Sequence, residues 1–229
     1  MAKKVIRAFA PDSGRVIMDY SHQRAYKAIA PYSSPVRSES EIRRIIRGVS
    51  TVGDVASSTI QDRHETGVTN AEQYFAEIQD AIGLTGLDLP TFERLWGDIH
   101  WVCPSAEEVE GLLSRIRDDV KFCLVSNNNP THWKDLQRYT VFRHFFGSME
   151  NRVLSFEVGV RKPHRAMFDA LVAKTGVPPE ETLFVDDITE YVETARALGF
   201  NAEQYDCSRD PFSKFEDILR EYGLLDPPA

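Results

Sequence analysis

From about residue 104 to residue 222, short apolar runs alternate with stretches in which apolar residues recur every three or four positions. The short runs are typical of buried strands, and the three-to-four spacing is typical of amphipathic helices. The clearest predicted strands are residues 121–125 and 182–185, with a shorter one at 153–154. Strands that alternate with helices form βαβ units, so this part of the chain predicts a mostly parallel sheet.

Capping residues predict where the helices of this part begin and end. Ser105 and Glu108 form a Ser-x-x-Glu capping box, which predicts a helix directly after Ser105. Gly176 and Gly199 follow periodic stretches and predict two helix ends. The other predicted helices lie near residues 131–139, from 164 to 176, from 189 to 198, and from 210 onwards.

Residues 21–101 differ from the rest of the chain, because one predicted helix follows another and no run indicates a strand. Capping boxes at Ser38 with Glu41, and at Thr69 with Glu72, precede apolar residues at helical spacing. A further polar stretch, Arg63-His64-Glu65, is interpreted as a solvated loop between two of these helices, in preference to the alternative that one of its side chains contacts a substrate.

This all-helical segment lies between a first predicted strand, residues 5–9, and the remaining strands. The predicted fold class is therefore α/β: a Rossmann-like doubly wound parallel sheet core with an inserted helical cap domain. The core would comprise residues 1–20 and 102–229, and the cap residues 21–101. Caps over the strand ends are one way in which enzymes exclude water from a site.

Polar residues follow three of the predicted strands at their carboxyl ends. These clusters are Asp12-Ser13-Gly14, Ser126-Asn127-Asn128-Asn129 and Asp186-Asp187. In open α/β sheets ligands bind at that edge, so we expect the three clusters to converge there.

The adjacent carboxylates Asp186 and Asp187 follow an apolar strand, where they repel one another and where burial disfavours both charges. A bound cation would offset this cost, and Mg²⁺ takes oxygen ligands. The pair therefore predicts a Mg²⁺ site. The alternative is that Asp187 caps the helix that begins near Thr189.

Ser126 and Lys162 are candidates for holding an anion. The Ser126 hydroxyl and the backbone N–H groups that follow it could bind an anionic oxygen. Lys162 precedes a predicted helix and could neutralise phosphate charge there. Taken singly, a serine at this place is more often a helix cap or turn residue, and a lysine before proline is more often solvated.

The composition narrows the classes of function. The chain has 229 residues, of which 42% are hydrophobic and 27% charged, and its formal net charge is −8. That charge disfavours nucleic-acid binding, and Arg43, Arg44 and Arg47 are interpreted as the solvated face of an amphipathic helix. No apolar run suggests a signal peptide or a membrane span, so we expect a cytoplasmic protein. Three scattered cysteines fit neither a disulfide framework nor a zinc site.

Three segments, in this order along the chain, resemble the second, third and fourth motifs of haloacid dehalogenase-like hydrolases. They are Leu124-Val125-Ser126-Asn127, Gly159-Val160-Arg161-Lys162-Pro163 and Leu183-Phe184-Val185-Asp186-Asp187. The spacing between the segments also matches. Residues 126–133 are most similar to a subgroup that contains sugar-phosphate phosphatases, and the resemblance covers essentially the whole chain.

By this resemblance the first motif should carry a nucleophilic aspartate at the end of the first strand. An alignment without gaps places this aspartate at Asp12, and the subgroup pattern Asp-x-Gly-x-Val-x-x-Asp matches residues 12–19. Most phosphatases of the superfamily have a second aspartate two residues after the nucleophile, as general acid and base. This chain has Gly14 there, as the subgroup does. Pro11 and Arg15 are further departures from the family pattern.

The resemblance implies a Mg²⁺-dependent phosphatase of a small phosphorylated metabolite, such as a sugar phosphate, acting through an aspartyl-phosphate intermediate. The implied catalytic residues are Asp12 and Lys162, the implied phosphate-binding residues are Ser126, Asn127 and Lys162, and the implied Mg²⁺ ligands are Asp12, the Gly14 carbonyl, Asp186 and Asp187. We expect no nucleic-acid or membrane partner, and either a monomer or a homodimer.

Two other functions remain open. A metal-free haloacid dehalogenase would also use an Asp nucleophile without a second acid, although Asp186 and Asp187 would repel its anionic substrate. A catalytically impaired binding or regulatory homologue is suggested by the departures in the first motif. An alignment with a gap, which puts Ala10 at the nucleophile position and Asp12 at the second acid, also predicts an inactive enzyme.

Overall fold

The computed structural model describes residues 5–48 and 59–225, and its centre is a parallel β-sheet. In chain order the strands are β1 (Ala8–Pro11), β2 (Met18–Tyr20), β3 (His100–Val102), β4 (Lys121–Phe122), β5 (Leu124–Ser126), β6 (Arg152–Leu154), β7 (Thr182–Asp186) and β8 (Asn201–Gln204). The central sheet has the strand order β4-β1-β7-β8 with all neighbours parallel, and β5 pairs in parallel with β6.

Strands β4 and β5 follow one another in the chain and are separated by Cys123, whose N–H donates to the Phe9 carbonyl at 3.0 Å. The first half pairs with β1 and the second half pairs with β6, so the chain changes partner along a single extended run. The sequence predicted one continuous strand over residues 121–125. The predicted strand is divided into β4 and β5 because its first residues pair with β1 and its last residues pair with β6.

Helices cover both faces of the sheet, as a doubly wound α/β fold requires. The core helices are α6 (Ala106–Leu113), α7 (Pro130–Leu136), α8 (Thr140–Phe146), α9 (Ser155–Val158), α10 (Arg165–Thr175), α11 (Thr189–Ala197) and α12 (Phe212–Glu221). One apolar cluster joins β1 and β7 to α6, α8 and α12, and a second joins the sheet to α10 and α11. The predicted α/β fold class is confirmed.

The first strand lies further along the chain than the predicted residues 5–9. Val5 is 63% exposed, and β1 begins at Ala8, whose Cα pairs with that of Thr182. The apolar run predicted a strand but could not set its register. The register follows from pairing with β7, which fixes the end of β1 at Pro11 opposite Val185.

Residues 21–101, the helical segment, contribute α1 (His22–Ile29), α2 (Glu39–Arg47), α3 (Ile60–Glu65), α4 (Ala71–Ile82) and α5 (Leu89–Gly97). These helices enclose an apolar cluster of their own, with Tyr26, Ile42, Tyr74, Phe92 and Trp96 among its buried members. Within the described residues, no helix of the chain combines the length and apolar character needed to span a membrane.

Capping explains where two of these helices begin. The predicted box at Ser38 and Glu41 forms at the start of α2, with both reciprocal hydrogen bonds present. The predicted box at Thr69 and Glu72 is wrong, because α4 is capped one residue later by Asn70 with Gln73. Asn70 accepts a hydrogen bond from the Gln73 N–H, and Gln73 reaches back to the Asn70 N–H.

Two features of the helical segment differ from the prediction. Strand β3 pairs antiparallel with β2, so a short ribbon joins the two ends of a segment that was predicted to contain no strand. The stretch Arg63-His64-Glu65, interpreted as a solvated loop, belongs to α3, and His64 and Glu65 are buried. His64 stacks on Tyr74 with ring centroids 4.0 Å apart, which is a tertiary contact without a local sequence signal.

The helical segment contacts the core through polar groups near the carboxyl end of the sheet. Arg161 forms ion pairs with Asp62 and Glu65 of α3. The Ser155 hydroxyl donates to the Glu65 carbonyl at 2.6 Å, and Lys134 pairs with Glu93 of α5 at 2.6 Å. These contacts hold α3 and α5 against the core.

Candidate active site

The three polar clusters that follow the strands meet in one cavity of about 270 Å³ beneath the helical segment. From the core, its wall includes Asp12, Ser13, Gly14, Ser126, Asn127, Lys162 and Asp187. The opposite wall includes Tyr20, His22, Arg47, Glu65 and His100. The structure therefore brings together at one edge of the sheet residues that lie up to about 175 positions apart in sequence, as expected for parallel strands.

Three carboxylates form the acidic side of the cavity. Asp12, Asp186 and Asp187 each offer an oxygen, and these oxygens all lie within 4.8 Å of one another. Burial, together with the charges of Asp12 and Asp186, raises the pKa of Asp187 to about 7. Burial also raises the pKa of Asp186 to about 6, against the opposing effect of Lys162. The cluster is thus costly to ionise without a further cation.

Lys162 is fully buried beneath these carboxylates. Its Nζ donates to Asp186 Oδ2 at 2.6 Å and to the Val125 carbonyl at 2.7 Å, and lies 3.0 Å from Asp12 Oδ1. Burial alone would lower the pKa of Lys162, but the charges of Asp12 and Asp186 outweigh burial and raise it. One fixed positive charge therefore faces three acidic groups.

Asp186 and Asp187 have different environments although they are neighbours in sequence. Both oxygens of Asp186 are engaged, Oδ2 by Lys162 and Oδ1 by the Ile188 N–H at 2.9 Å. Asp187 lines the cavity instead. The alternative role of Asp187 as a helix cap is wrong, because the N-cap of α11 is Ile188 and no side chain caps this helix.

The donor set fits a hard divalent cation. Asp12 Oδ1 is buried, forms no hydrogen bond within the described residues, and lies 3.0 Å from Lys162 Nζ as an ion pair. Asp12 and Asp187 line the same cavity, and oxygen ligands from carboxylates are those that Mg²⁺ prefers. A cation here would reduce the repulsion among the three acids.

The loop after β5 is held by side-chain hydrogen bonds. The hydroxyls of Ser126 and Ser13 lie 2.6 Å apart, which connects the ends of β5 and β1. The Asn127 side chain accepts from the Lys162 N–H at 2.7 Å and donates to the Lys162 carbonyl at 3.1 Å. The amide of Asn127 therefore positions the Lys162 backbone, and leaves only the backbone of Asn127 free to face a ligand.

Gly14 lies against an aromatic ring. A Cβ built on Gly14 would come within 2.7 Å of Tyr20 Cε1 and 3.3 Å of Tyr20 Cδ1. Tyr20 therefore occupies the space that the first atom of a side chain at position 14 would need. Burial raises the pKa of Tyr20 to about 12, so its phenol stays protonated.

Arg15, a further departure in the first motif, does not line the cavity. Arg15 adopts a left-handed backbone conformation with φ of 58°, which is uncommon outside glycine. Its side chain lies 3.7 Å from Asp19 and 3.8 Å from Asp206. Ala10 is fully buried within β1, among apolar residues of the core.

A group of imidazoles, which the sequence did not single out, lies where the helical segment meets the core. The ring of His132 lies 5.5 Å from that of His22 and 5.1 Å from that of His100. Burial lowers the pKa of both His22 and His132, so these rings are neutral at physiological pH. Neutral imidazoles can donate and accept hydrogen bonds without adding charge.

Comparison with known families decides the class of this protein. The sequence model of the haloacid dehalogenase-like hydrolases matches residues 14–199. This chain is a haloacid dehalogenase-like hydrolase. The match begins two residues after Asp12. It therefore identifies the family but does not include Asp12, the candidate nucleophile.

Solved structures show the same fold at low sequence identity. A haloacid dehalogenase family enzyme from Bacteroides thetaiotaomicron, in complex with magnesium and inorganic phosphate, superposes with a TM-score of 0.73 at 20% identity, covering 92% of this hydrolase and 99% of that chain. A family hydrolase from Porphyromonas gingivalis gives 0.72 at 23% identity, covering 95% and 99%. The L-2-haloacid dehalogenase of Xanthobacter autotrophicus gives 0.57 at 17%, covering 97% and 85%.

A curated relative resembles a shorter stretch of this hydrolase. D-ribitol-5-phosphate phosphatase of Bacteroides thetaiotaomicron is 37% identical over 57 residues, which is 25% of this chain and 28% of that protein. The match thus spans little more than a quarter of the relative's length.

Proposed function

We propose that this hydrolase is a Mg²⁺-dependent phosphatase of a small phosphorylated metabolite, such as a sugar phosphate, acting through an aspartyl-phosphate on Asp12. The observation that carries the proposal is the cluster of Asp12, Asp186 and Asp187 around a single buried lysine. An anionic substrate would be repelled by this cluster unless a cation bound with it. The magnesium and phosphate complex of a structural neighbour, and the sugar-phosphate phosphatase relative, support the same choice.

In the proposed reaction a carboxylate oxygen of Asp12 bonds to phosphorus as the bond to the ester oxygen breaks, and water later releases phosphate from Asp12. Ser126 and Lys162 hold the phosphoryl oxygens, which supplies positioning and positive charge. Asn127 keeps Lys162 in place through its two backbone hydrogen bonds. Asp12 lines the cavity, so its carboxylate can meet the phosphorus of a bound ester.

Asp12, Asp187 and the Gly14 carbonyl would hold Mg²⁺, with Asp186 orienting Lys162 next to it. When bound, the ion would screen the repulsion between carboxylate and phosphate and stabilise the charge on the transferring group. The metal-free dehalogenase alternative leaves this acidic cluster without a cation to offset it. The impaired-homologue alternative is weakened because the Arg15 side chain lies against Asp19 and Asp206, outside the cavity.

A substrate screen tests the proposal. The protein would be assayed against phosphorylated sugars, polyols and other small phosphate esters, and against 2-haloacids, with Mg²⁺ and with a chelator. Phosphate release that requires Mg²⁺ is the expected result. Halide release in the presence of chelator would instead favour the dehalogenase, and no turnover of either class would favour a non-catalytic homologue.

We expect Mg²⁺ to stabilise the protein at a pH above the pKa of Asp187 and to have little effect below it. Asp187 has a folded-state pKa raised to about 7, so it favours the fold when protonated, and this contribution is lost as the pH rises through that value. Mg²⁺ needs the ionised carboxylate and replaces the proton. Thermal unfolding at about pH 8.5 and at about pH 5.5, with and without Mg²⁺, measures the difference.

Asp187→Asn should remove most of the Mg²⁺-induced increase in Tm, and Asp186→Asn should remove less, because both Asp186 oxygens already have protein partners. Asp169→Asn, on the exposed face of α10, is the matched control and should keep the full increase. An equal Mg²⁺ effect at both pH values, or an unchanged effect in Asp187→Asn, would contradict the proposed ligand set.

The absence of a side chain at Gly14 predicts a dependence on the leaving group. General acid catalysis contributes about 10²- to 10⁴-fold, so esters whose leaving group must be protonated should react more slowly by up to that factor. Aryl phosphates with acidic phenols, and anomeric sugar phosphates, should be hydrolysed far better than alkyl phosphates. The measurement is kcat/KM against leaving-group pKa.

Gly14→Asp alone should not flatten the dependence of kcat/KM on leaving-group pKa, because its Cβ would lie 2.7 Å from Cε1 of Tyr20. Gly14→Ala carries the same Cβ without an acid and should lose activity to a similar degree. Gly14→Asp combined with Tyr20→Ala should flatten the dependence, whereas Tyr20→Ala alone should not. A flat dependence in the wild-type protein would mean that another group already supplies the proton.

A further inference from the structure

A second cavity, of about 520 Å³, lies beside the first, and we call it the arginine pocket. Arg43, Arg44 and Arg47 of α2 line it on one side, and Arg161 of the core and Asp62 of α3 line it on the other. The sequence predicted a solvated helix face for the three arginines of α2, and Arg43 and Arg44 are exposed, whereas Arg47 is half-buried. All three also lie on the wall of this concave site.

Among residues 5–48 and 59–225, acidic side chains pair with only one of the four arginines in the arginine pocket. Arg161 pairs with Asp62 and Glu65. Arg47 donates through Nε to the neutral Gln61 at 2.7 Å, and neither Arg43 nor Arg44 forms an ion pair with any residue in 5–48 or 59–225. Positions near a helix C-terminus favour basic residues, which accounts for part of this pattern. This preference does not explain why Arg43 and Arg47 share a cavity with Arg161, which belongs to the core. The chain as a whole has a net charge of −8.

The arginine pocket adjoins the cavity at the strand ends. Arg47 and Arg161 line both cavities, and Glu65, which pairs with Arg161, faces the inner one. Arg47 is also close enough to affect the charge of groups on the inner wall, since its charge helps to lower the pKa of His22. A ligand with one end bound beside Asp12 and Lys162 would therefore extend past Arg47 into the arginine pocket.

We propose that the arginine pocket binds a second anionic group of the substrate. The substrate class would then be a phosphate monoester that carries a carboxylate or a second phosphate at the end remote from the reacting phosphate. This inference rests on the proposed phosphatase function, because it assumes that the first phosphate binds beside Asp12. The planar guanidinium presents several donors that match carboxylate and phosphate oxygens alike, so both anions fit the same pocket.

The second anion would also explain how selectivity arises without a large apolar contact. The reacting phosphate is bound by groups that every phosphate ester would engage equally, so the remote end has to distinguish one ester from another. Guanidinium groups that share one pocket repel one another, and an anion placed among them relieves that repulsion. A substrate with only hydroxyl groups at its remote end would not relieve it.

Binding of non-hydrolysable phosphonates to the wild-type protein with Mg²⁺ tests the inference by calorimetry. Three series of matched chain length are compared: alkylphosphonates, ω-carboxyalkylphosphonates and α,ω-bisphosphonates. At the chain length that spans the two cavities, the second anion should tighten Kd by about 10-fold or more over the alkylphosphonate. The two anionic series show whether a carboxylate or a phosphate fits better.

Arg43→Gln and Arg47→Gln should each reduce this gain in affinity. Arg94→Gln is the matched control, because Arg94 is an exposed arginine of α5 outside both cavities, and its removal changes the net charge equally. It should keep the gain. Absence of a gain at every chain length, a gain that persists in Arg43→Gln and Arg47→Gln, or an equal loss in Arg94→Gln would each overturn the inference.

The two proposals can fail separately in this experiment. Binding of the simple alkylphosphonates, and its loss in the absence of Mg²⁺, reports on the phosphate site beside Asp12. The additional affinity from the second anion reports on the arginine pocket. Mg²⁺-dependent alkylphosphonate binding without additional affinity would thus overturn the inference and leave the phosphatase proposal standing.

Discussion

Asp12→Asn is expected to lower kcat/KM for every phosphate ester by at least about 10⁴-fold while the fold is retained. The amide has nearly the same shape as the carboxylate but cannot form a bond to phosphorus. Replacement of Asp12 also removes one of three neighbouring negative charges, so the variant should unfold at a temperature close to that of the wild-type protein. Steady-state kinetics with Mg²⁺ measure the loss of kcat/KM, and thermal unfolding measures whether the fold is retained.

Asp169→Asn makes the same chemical change on the exposed face of α10 and should leave kcat/KM unaltered. Near wild-type turnover by Asp12→Asn would show that Asp12 is neither the nucleophile nor the second acid, which would contradict both alignments of the first motif. Ala10 has a fully buried methyl side chain and cannot attack a substrate. That outcome would therefore also argue against an aspartyl-phosphate intermediate at this site.

Lys162→Met is expected to reduce the free energy of unfolding by about 3–5 kcal/mol at about pH 8.5, because it leaves buried carboxylates without their cation. Nζ of Lys162 contacts Asp186 at 2.6 Å, Val125 O at 2.7 Å and Asp12 at 3.0 Å, and methionine replaces none of these contacts. The pKa of Asp186 is about 6 even with Lys162 present, and should rise in the variant.

A raised folded-state pKa favours the fold at low pH, so the stability difference between Lys162→Met and the wild-type protein should shrink as the pH falls towards about 5.5. Urea unfolding at several pH values measures this difference. Lys214→Met, which removes an exposed lysine paired with Asp210, is the control and should cost little at any pH. A large, pH-independent loss in Lys162→Met would mean that packing, and not charge, accounts for the effect.

The meeting of Asp12, Ser126 and Asp187 can be predicted from sequence, because parallel strands present their carboxyl ends at one edge of a sheet. Asp12 and Asp187 directly follow strands and Ser126 ends one, and the apolar run of each strand is present in the sequence. It was harder to predict which of the two adjacent aspartates is enclosed by the protein and which faces the cavity. Nothing local distinguishes Asp186 from Asp187, and only the positions of Lys162 and the Ile188 N–H show that one is enclosed and the other faces the cavity.

The opposite wall of the cavity depends on contacts between residues far apart in sequence. Strand β2 pairs with β3 about 80 residues later, and three-residue strands carry too few positions to show alternation. Helix α3 has six residues, too few for an apolar period, and His64 is buried by its contacts with Tyr74 and Thr131. Tyr20 was therefore not recognisable from the sequence as part of the site, and for His64 the sequence favoured a solvated loop over a place in the site.

The contact between Gly14 and Tyr20 limits the mutational paths open to this protein. An acidic side chain gained at position 14 in one step would place its Cβ 2.7 Å from Cε1 of Tyr20, so the ring would have to move. A smaller residue at position 20 would free that space, and that change alone brings no acid to the site. The route to a second acid therefore passes through an intermediate with no catalytic advantage, and libraries that vary position 14 alone would miss it.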